Sequence, residues 1–165
     1  MNSALSRKAA VTAALLLAAI FSFHPAGAAE EITGRAAWVY DGDSFKMLDR
    51  GRTLQVRVFG IDCPEKGQPY ARQALSLTIR LVKNRLVKVR VKDIDAYGRV
   101  VGEVILPDGR SLGEELVRAG LAWHYRRYSD DENLARLEAE ARAAGRGLWR
   151  QADPVPPWIY KNTGD

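Results

Sequence analysis

Residues 52–65 read Arg52-Thr53-Leu54-Gln55-Val56-Arg57-Val58-Phe59-Gly60-Ile61-Asp62-Cys63-Pro64-Glu65. Leu54, Val56 and Val58 alternate with Gln55 and Arg57, the period of two that a half-buried strand imposes. One face turns to a core and Arg57 stands outside it. Asp62 and Glu65 follow just past the end of this run, so a guanidinium and two carboxylates are drawn into one neighbourhood.

Upstream the same strand-like pattern occupies residues 32–49, and Asp49-Arg50-Gly51 supplies a turn, so residues 32–61 hold three strands. Downstream, Gln68-Pro69 opens a helix reaching residue 84, with Pro69 suited to the first helical position. Its apolar stripe is Ala71, Ala74, Leu75, Thr78, Ile79 and Val82. Period two then returns: Leu86, Val87, Val89 and Val91 interleave with Lys88, Arg90 and Lys92 in a fourth strand. A fifth follows Asp95-Ala96-Tyr97-Gly98 and stops at Pro107-Asp108-Gly109.

Ser111-Leu112-Gly113-Glu114 has capping-box spacing and starts a short helix that Gly120 ends. Ser129-Asp130-Asp131-Glu132 repeats the spacing before Leu134, Leu137, Ala141, Ala144 and Leu148, a last amphipathic helix broken around Gly145 and Gly147. From Ala152 the prolines at 154, 156 and 157 predict an irregular tail, residues 151–165. The pattern predicts an α+β chain, mainly β: a five-stranded Greek-key barrel of the OB type with about three helices.

The amino-terminal residues carry Arg7 and Lys8, an apolar run over residues 9–23, and Ala26-Gly27-Ala28 as a small-residue cleavage site, the layout of a secretory signal peptide. The run is shorter than the roughly 20 residues of a membrane-spanning helix, and His24-Pro25 interrupt it. Residues 1–28 are therefore expected to be a signal peptide and residues 29–150 one domain. The expected product is exported, periplasmic or secreted, without stable membrane association and monomeric. The whole chain has a formal charge of +5; residues 1–28 hold two basic and no acidic residues, which leaves +3, a mild aid to binding a polyanion. Cys63 is the single cysteine, so no intramolecular disulfide exists; with His24 lost in residues 1–28, one Cys and one His cannot supply the usual ligand set of a zinc site.

Asp41-Gly42-Asp43, Arg57, Asp62, Glu65 and Arg99 are the charged residues whose chemistry belongs together. Carboxylates alone suit many cations; arginines beside them suit an anion with multidentate oxygens, such as a phosphate diester. In this order, and with Tyr97-Gly98-Arg99 and Leu116-Val117-Arg118-Ala119-Gly120-Leu121-Ala122, they resemble the staphylococcal nuclease (thermonuclease) family over about residues 34–149. The resemblance implies that Asp43, Asp62 and the backbone carbonyl of Cys63 hold one Ca²⁺, with Asp41 in support. It implies that Glu65 orients or deprotonates the attacking water and that Arg57 and Arg99 clamp the phosphate. The implied reaction hydrolyses DNA and RNA at the bond to the 5′ oxygen and leaves 3′-phosphate ends. Tyr97 and Tyr128 match tyrosines near the bound nucleotide.

Departures from the founding pattern are Ala96 in place of a lysine, Arg126 in place of a second tyrosine, and Ser44 and Cys63 in place of threonines. The loop after Glu65 is also short. Arg126 or Tyr125 would then contact the substrate instead. His124 has no partner nearby in sequence and is expected to serve packing or the surface. The alternative is a catalytically silent OB-fold module that binds nucleic acid or protein.

Overall fold

Alternation builds the barrel wall. In β2 (Ser44–Asp49) and β3 (Arg52–Val58), Phe45, Met47, Val56 and Val58 are buried, whereas Lys46 and Gln55 face outward. The computed structural model describes residues 30–163. With β1 (Glu31–Val39), a pair of later strands, β5 (Leu86–Ile94) and β6 (Val100–Ile105), completes a closed barrel in the order β1-β2-β3-β6-β5. Neighbours are antiparallel except β3 and β6, which run parallel, and β5 closes the ring against β1. Ala36, Val87, Val89 and Val104 join the residues above in a buried apolar interior. This is the α+β, mainly β barrel of the OB type that the strand pattern predicts.

Outside the barrel, β4 (Ile61–Asp62) pairs with β7 (Trp123–His124) in a two-stranded sheet. Helices α1 (Ala71–Val82), α2 (Leu112–Arg118), α3 (Glu132–Ala143) and α4 (Pro157–Thr163) and a 3-10 turn at Gly147–Arg150 cover the rest. α1 falls between the third and fourth barrel strands, as expected. It buries Ala74, Thr78 and Val82 at four-residue steps with Leu77 and Leu81 alongside, while Ile79 lies at the exposed edge.

The structure differs from the sequence pattern in three places. α1 starts at Ala71 rather than Pro69, because Tyr70 adopts φ 67, ψ 0 and Gln68 is committed to the preceding loop. α3 is capped by Asp131, whose Oδ1 accepts from the amides of Asn133 and Leu134; Ser129 Oγ instead accepts from Asp131 N. The tail expected to be irregular carries α4, with Pro157 at its first position, where a missing N–H costs nothing. Among the described residues no helix is long and apolar enough to cross a membrane. The signal peptide expected at residues 1–28 lies outside the described residues.

Candidate active site

Strand register starts the site. Ser44 pairs with Arg57 across β2 and β3, and Val58 N donates to Asp43 O at 2.9 Å, so the 41–43 loop is fastened beside Arg57. Gly42 is needed there: a Cβ would stand 2.6 Å from Cys63 Sγ and 2.8 Å from Ala74 Cβ. Thr78 Oγ of α1 donates to Gly42 O at 2.5 Å and holds the loop from below. After β3 the chain turns at Gly60, whose φ of +76 an L side chain resists, and β4 then presents Asp62 on the other side of Arg57.

Arg57 bridges two buried carboxylates. Its Nη1 lies 3.1 Å from Asp43 Oδ1, and its Nη2 pairs with Asp62 Oδ1. The Asp43 and Asp62 side chains are 3% and 1% exposed against 17% for Arg57, so removing any one partner would leave a buried charge uncompensated. Asp43 Oδ1 also accepts from Ser44 Oγ at 3.2 Å and Oδ2 from Cys63 N at 2.7 Å. Asp41 Oδ1 accepts from Asp43 N at 3.1 Å, which makes Asp41 a support of the loop.

Three carboxylates thus crowd one guanidinium. Burial and the charge of Asp43 push the Asp41 carboxyl up to about 6. Burial also raises Asp43, with Asp62 acting in the same sense and Arg57 against it. Burial works against the charge on Arg57, but Asp43 and Asp62 outweigh it and raise its pKa.

Two observations fit a divalent cation here. The excess of buried negative charge is what such an ion neutralises, and Asp62 Oδ2 is buried with no hydrogen-bond partner among the described residues. The donors are all oxygen, the preference of a hard cation. No three His, Cys, Asp or Glu side chains among the described residues form a metal-holding group, so backbone carbonyl and water would have to complete the shell. The Cys63 thiol is buried, and burial followed by the charges of Asp43 and Asp41 pushes its pKa well up, which makes it a poor nucleophile.

A groove of about 1070 Å³ opens on Arg57 and Asp62 and is lined further by Tyr97, Arg99, Tyr125, Arg126 and Tyr128. Arg99 reaches it from the turn between β5 and β6. Asp95 holds that turn: its Oδ1 accepts from Tyr97 N and Arg99 N, and its Oδ2 from Arg99 Nε at 2.7 Å. The Arg99 guanidinium lies 5.5 Å from the Tyr97 ring. Tyr97 and Tyr128 are 86% and 61% exposed, free to meet a base.

Asp43, Cys63 and Glu65 do not line this groove; Asp43 and Cys63 are buried behind Arg57. Glu65 stands beside Asp62, with Lys161 Nζ 2.8 Å from Glu65 Oε1 and 3.5 Å from Asp62 Oδ1. His124 is buried in β7 at the wall of the same groove, with neither ring nitrogen hydrogen-bonded among the described residues.

The sequence pattern missed Asp95, Trp158 and Lys161. Asp95 could have been found from its place two residues before Tyr97, where an Asp side chain closes a turn on following amides. Pro157 at a helix start was the one signal for the other two.

Residues 55–151 match the model of the staphylococcal nuclease homologue family. An Escherichia coli protein named as an uncharacterized endonuclease is 42% identical over 132 residues, covering 80% of this chain and 86% of that protein. A protein of Escherichia coli named ParB is 34% identical over 163 residues, 93% of this chain and 91% of its own length. The staphylococcal-like nuclease CAN1 of Arabidopsis thaliana is 36% identical over 110 residues, 67% of this chain but only 34% of the plant protein. With the carboxylate-arginine corner intact on the matching barrel, the chain belongs to the staphylococcal nuclease family and is a phosphodiester hydrolase.

Proposed function

We propose that this nuclease is exported, depends on Ca²⁺, and hydrolyses DNA and RNA to leave 3′-phosphate ends. The observation that carries the reading is the corner in which Arg57 joins Asp43 to Asp62 while Asp62 Oδ2 keeps no partner among the described residues. Asp43, Asp62 and the Cys63 carbonyl would hold one ion. When bound, that ion polarises the phosphate and favours the ionised form of nearby water.

The chain's own residues do the rest. Arg57 and Arg99 donate to phosphate oxygens that gain charge as phosphorus becomes five-coordinate. Glu65 accepts the proton of the attacking water, the water oxygen bonds to phosphorus, and the bond to the 5′ oxygen breaks. The phosphate stays on the 3′ side and the departing 5′ oxygen takes up a proton. Tyr97, Tyr128 and Arg126, all exposed along the groove, would stack on bases or meet backbone phosphates.

Arg7, Lys8 and the apolar run that follows support export to a periplasm or out of the cell. The chain would act there as a monomer. Purified protein incubated with single-stranded DNA or RNA, in Ca²⁺ or chelator, tests the reading. Cleavage that needs Ca²⁺, yields ends requiring phosphatase before polymerase extension, and disappears in Glu65→Ala and Arg57→Ala is expected. Retained binding with no cleavage under any divalent ion would sink it in favour of a silent binding module.

A further inference from the structure

The family match ends at residue 151, yet the chain turns back onto the site. Val155 O accepts from Gln68 Nε2 at 2.9 Å, and Gln68 Oε1 accepts from Glu65 N at 2.7 Å. The tail is therefore tied, through one side chain, to the loop that bears Glu65. Trp158 of α4 stacks on Tyr125 at 4.8 Å and 5° and meets Trp123 edge-on at 5.7 Å. A seven-residue helix does not persist alone in water, so these contacts hold it in place.

The result is the placement of Lys161, 2.8 Å from Glu65 Oε1 and 3.5 Å from Asp62 Oδ1. Its ammonium thus pairs directly with the Glu65 carboxylate. The loop after Glu65 is short and its side chain is 34% exposed, so without an anchor the carboxylate is free to change rotamer. Asp62 Oδ2 stays unpartnered, so Lys161 does not fill the position open to a metal.

We propose that Lys161, delivered by α4, is a positioning residue that holds Glu65 beside Asp62, where the carboxylate can take the proton of the attacking water. The inference rests on the role of Glu65 proposed above. General-base catalysis is worth about 10²–10⁴-fold, and a loosely held base forfeits part of it.

Steady-state cleavage of single-stranded DNA in Ca²⁺ by Lys161→Met and Lys161→Arg is the test. Lys161→Met is expected to lower kcat about 10-fold with KM within about twofold, and Lys161→Arg to restore most of the loss. In the Glu65→Ala background Lys161→Met is expected to add nothing further, since it acts through Glu65. Anisotropy titration of the same DNA in chelator reads a metal-free property: affinity and salt slope should match the wild type.

A higher KM with the salt slope reduced by about 1 would make Lys161 a phosphate contact and overturn the proposal. Faster cleavage with tighter binding of Tb³⁺, followed by luminescence, would make it a plug and do the same. Kinetics unchanged in Lys161→Met while Glu65→Ala is inactive would refute the role of Lys161 alone; a fully active Glu65→Ala would refute the reading beneath it. Should Lys161→Met melt early, Trp158→Ala, which removes the ring stacked on Tyr125 and undocks α4, must reproduce the fall in kcat for the proposal to stand.

Discussion

The two arginines of the groove are held in opposite ways. Arg57 issues from a barrel strand and is gripped by two carboxylates that are themselves nearly inaccessible to water. Arg99 issues from a turn and is held by Asp95, four residues earlier in the same turn. The first arrangement makes one residue serve both folding and chemistry, because Arg57 neutralises charge that the fold has buried. The second separates the two, since the turn can lose Arg99 and leave the barrel untouched. Identical side chains with the same proposed task should therefore break differently.

The largest effect is expected from Arg57→Ala. Loss of a transition-state donor costs about 10²–10³ in kcat. Removal of one partner from a buried pair also costs about 3–5 kcal/mol of stability, read by urea denaturation in chelator. Saturating Ca²⁺ should recover part of the stability and none of the rate, because the ion replaces the charge of Arg57 and not its hydrogen bonds. An Arg57→Ala variant as stable as the wild type in chelator would erase the contrast.

Arg99→Ala comes next, with a similar loss in kcat but a change in stability below about 1 kcal/mol, the usual worth of a partly exposed pair. Joint loss of stability and rate in this variant would show that the β5–β6 turn is coupled to the barrel after all.

Asp95→Asn should be the mildest, a fall in kcat of about 10-fold or less as Arg99 loses its anchor. Burial works against the ionised Asp95, but the Arg99 and Tyr97 amides and the Arg99 guanidinium outweigh it and lower its pKa. A lowered folded-state pKa contributes stability above the unfolded carboxylate value of about 3.9, and that contribution is lost as pH falls through the folded pKa. The small stability gap between wild type and Asp95→Asn should therefore close below about pH 4. A gap that widens in acid would contradict the assigned partners.

The same contrast explains what was legible in the sequence. β3 announced itself because alternation is a local property, and Arg57 could be placed outside the core from Leu54, Val56 and Val58 alone. That Arg57 is bridged between Asp43 and Asp62 was not legible: it depends on the β2–β3 register and on β4 meeting β7, contacts between distant residues. Asp131 outcompeted Ser129 as a cap because both can accept from amides two or three residues ahead, and spacing does not rank them. α4 was hidden because Pro154, Pro156 and Pro157 read as breakers. Its stability comes from Trp158 against Tyr125 and Trp123, again a distant contact.

Cys63 gives the molecule a clock. It carries the single sulfhydryl of the chain, the residue is 3% exposed, and its amide donates to Asp43 Oδ2. A thiol-reactive dye can meet it only when the segment between β4 and Glu65 parts from the 41–43 loop, so the labelling rate times the opening of the carboxylate-arginine corner in the intact protein. Adding Ca²⁺ should slow labelling in proportion to occupancy, which turns one buried sulfur into a meter of how tightly the corner is shut.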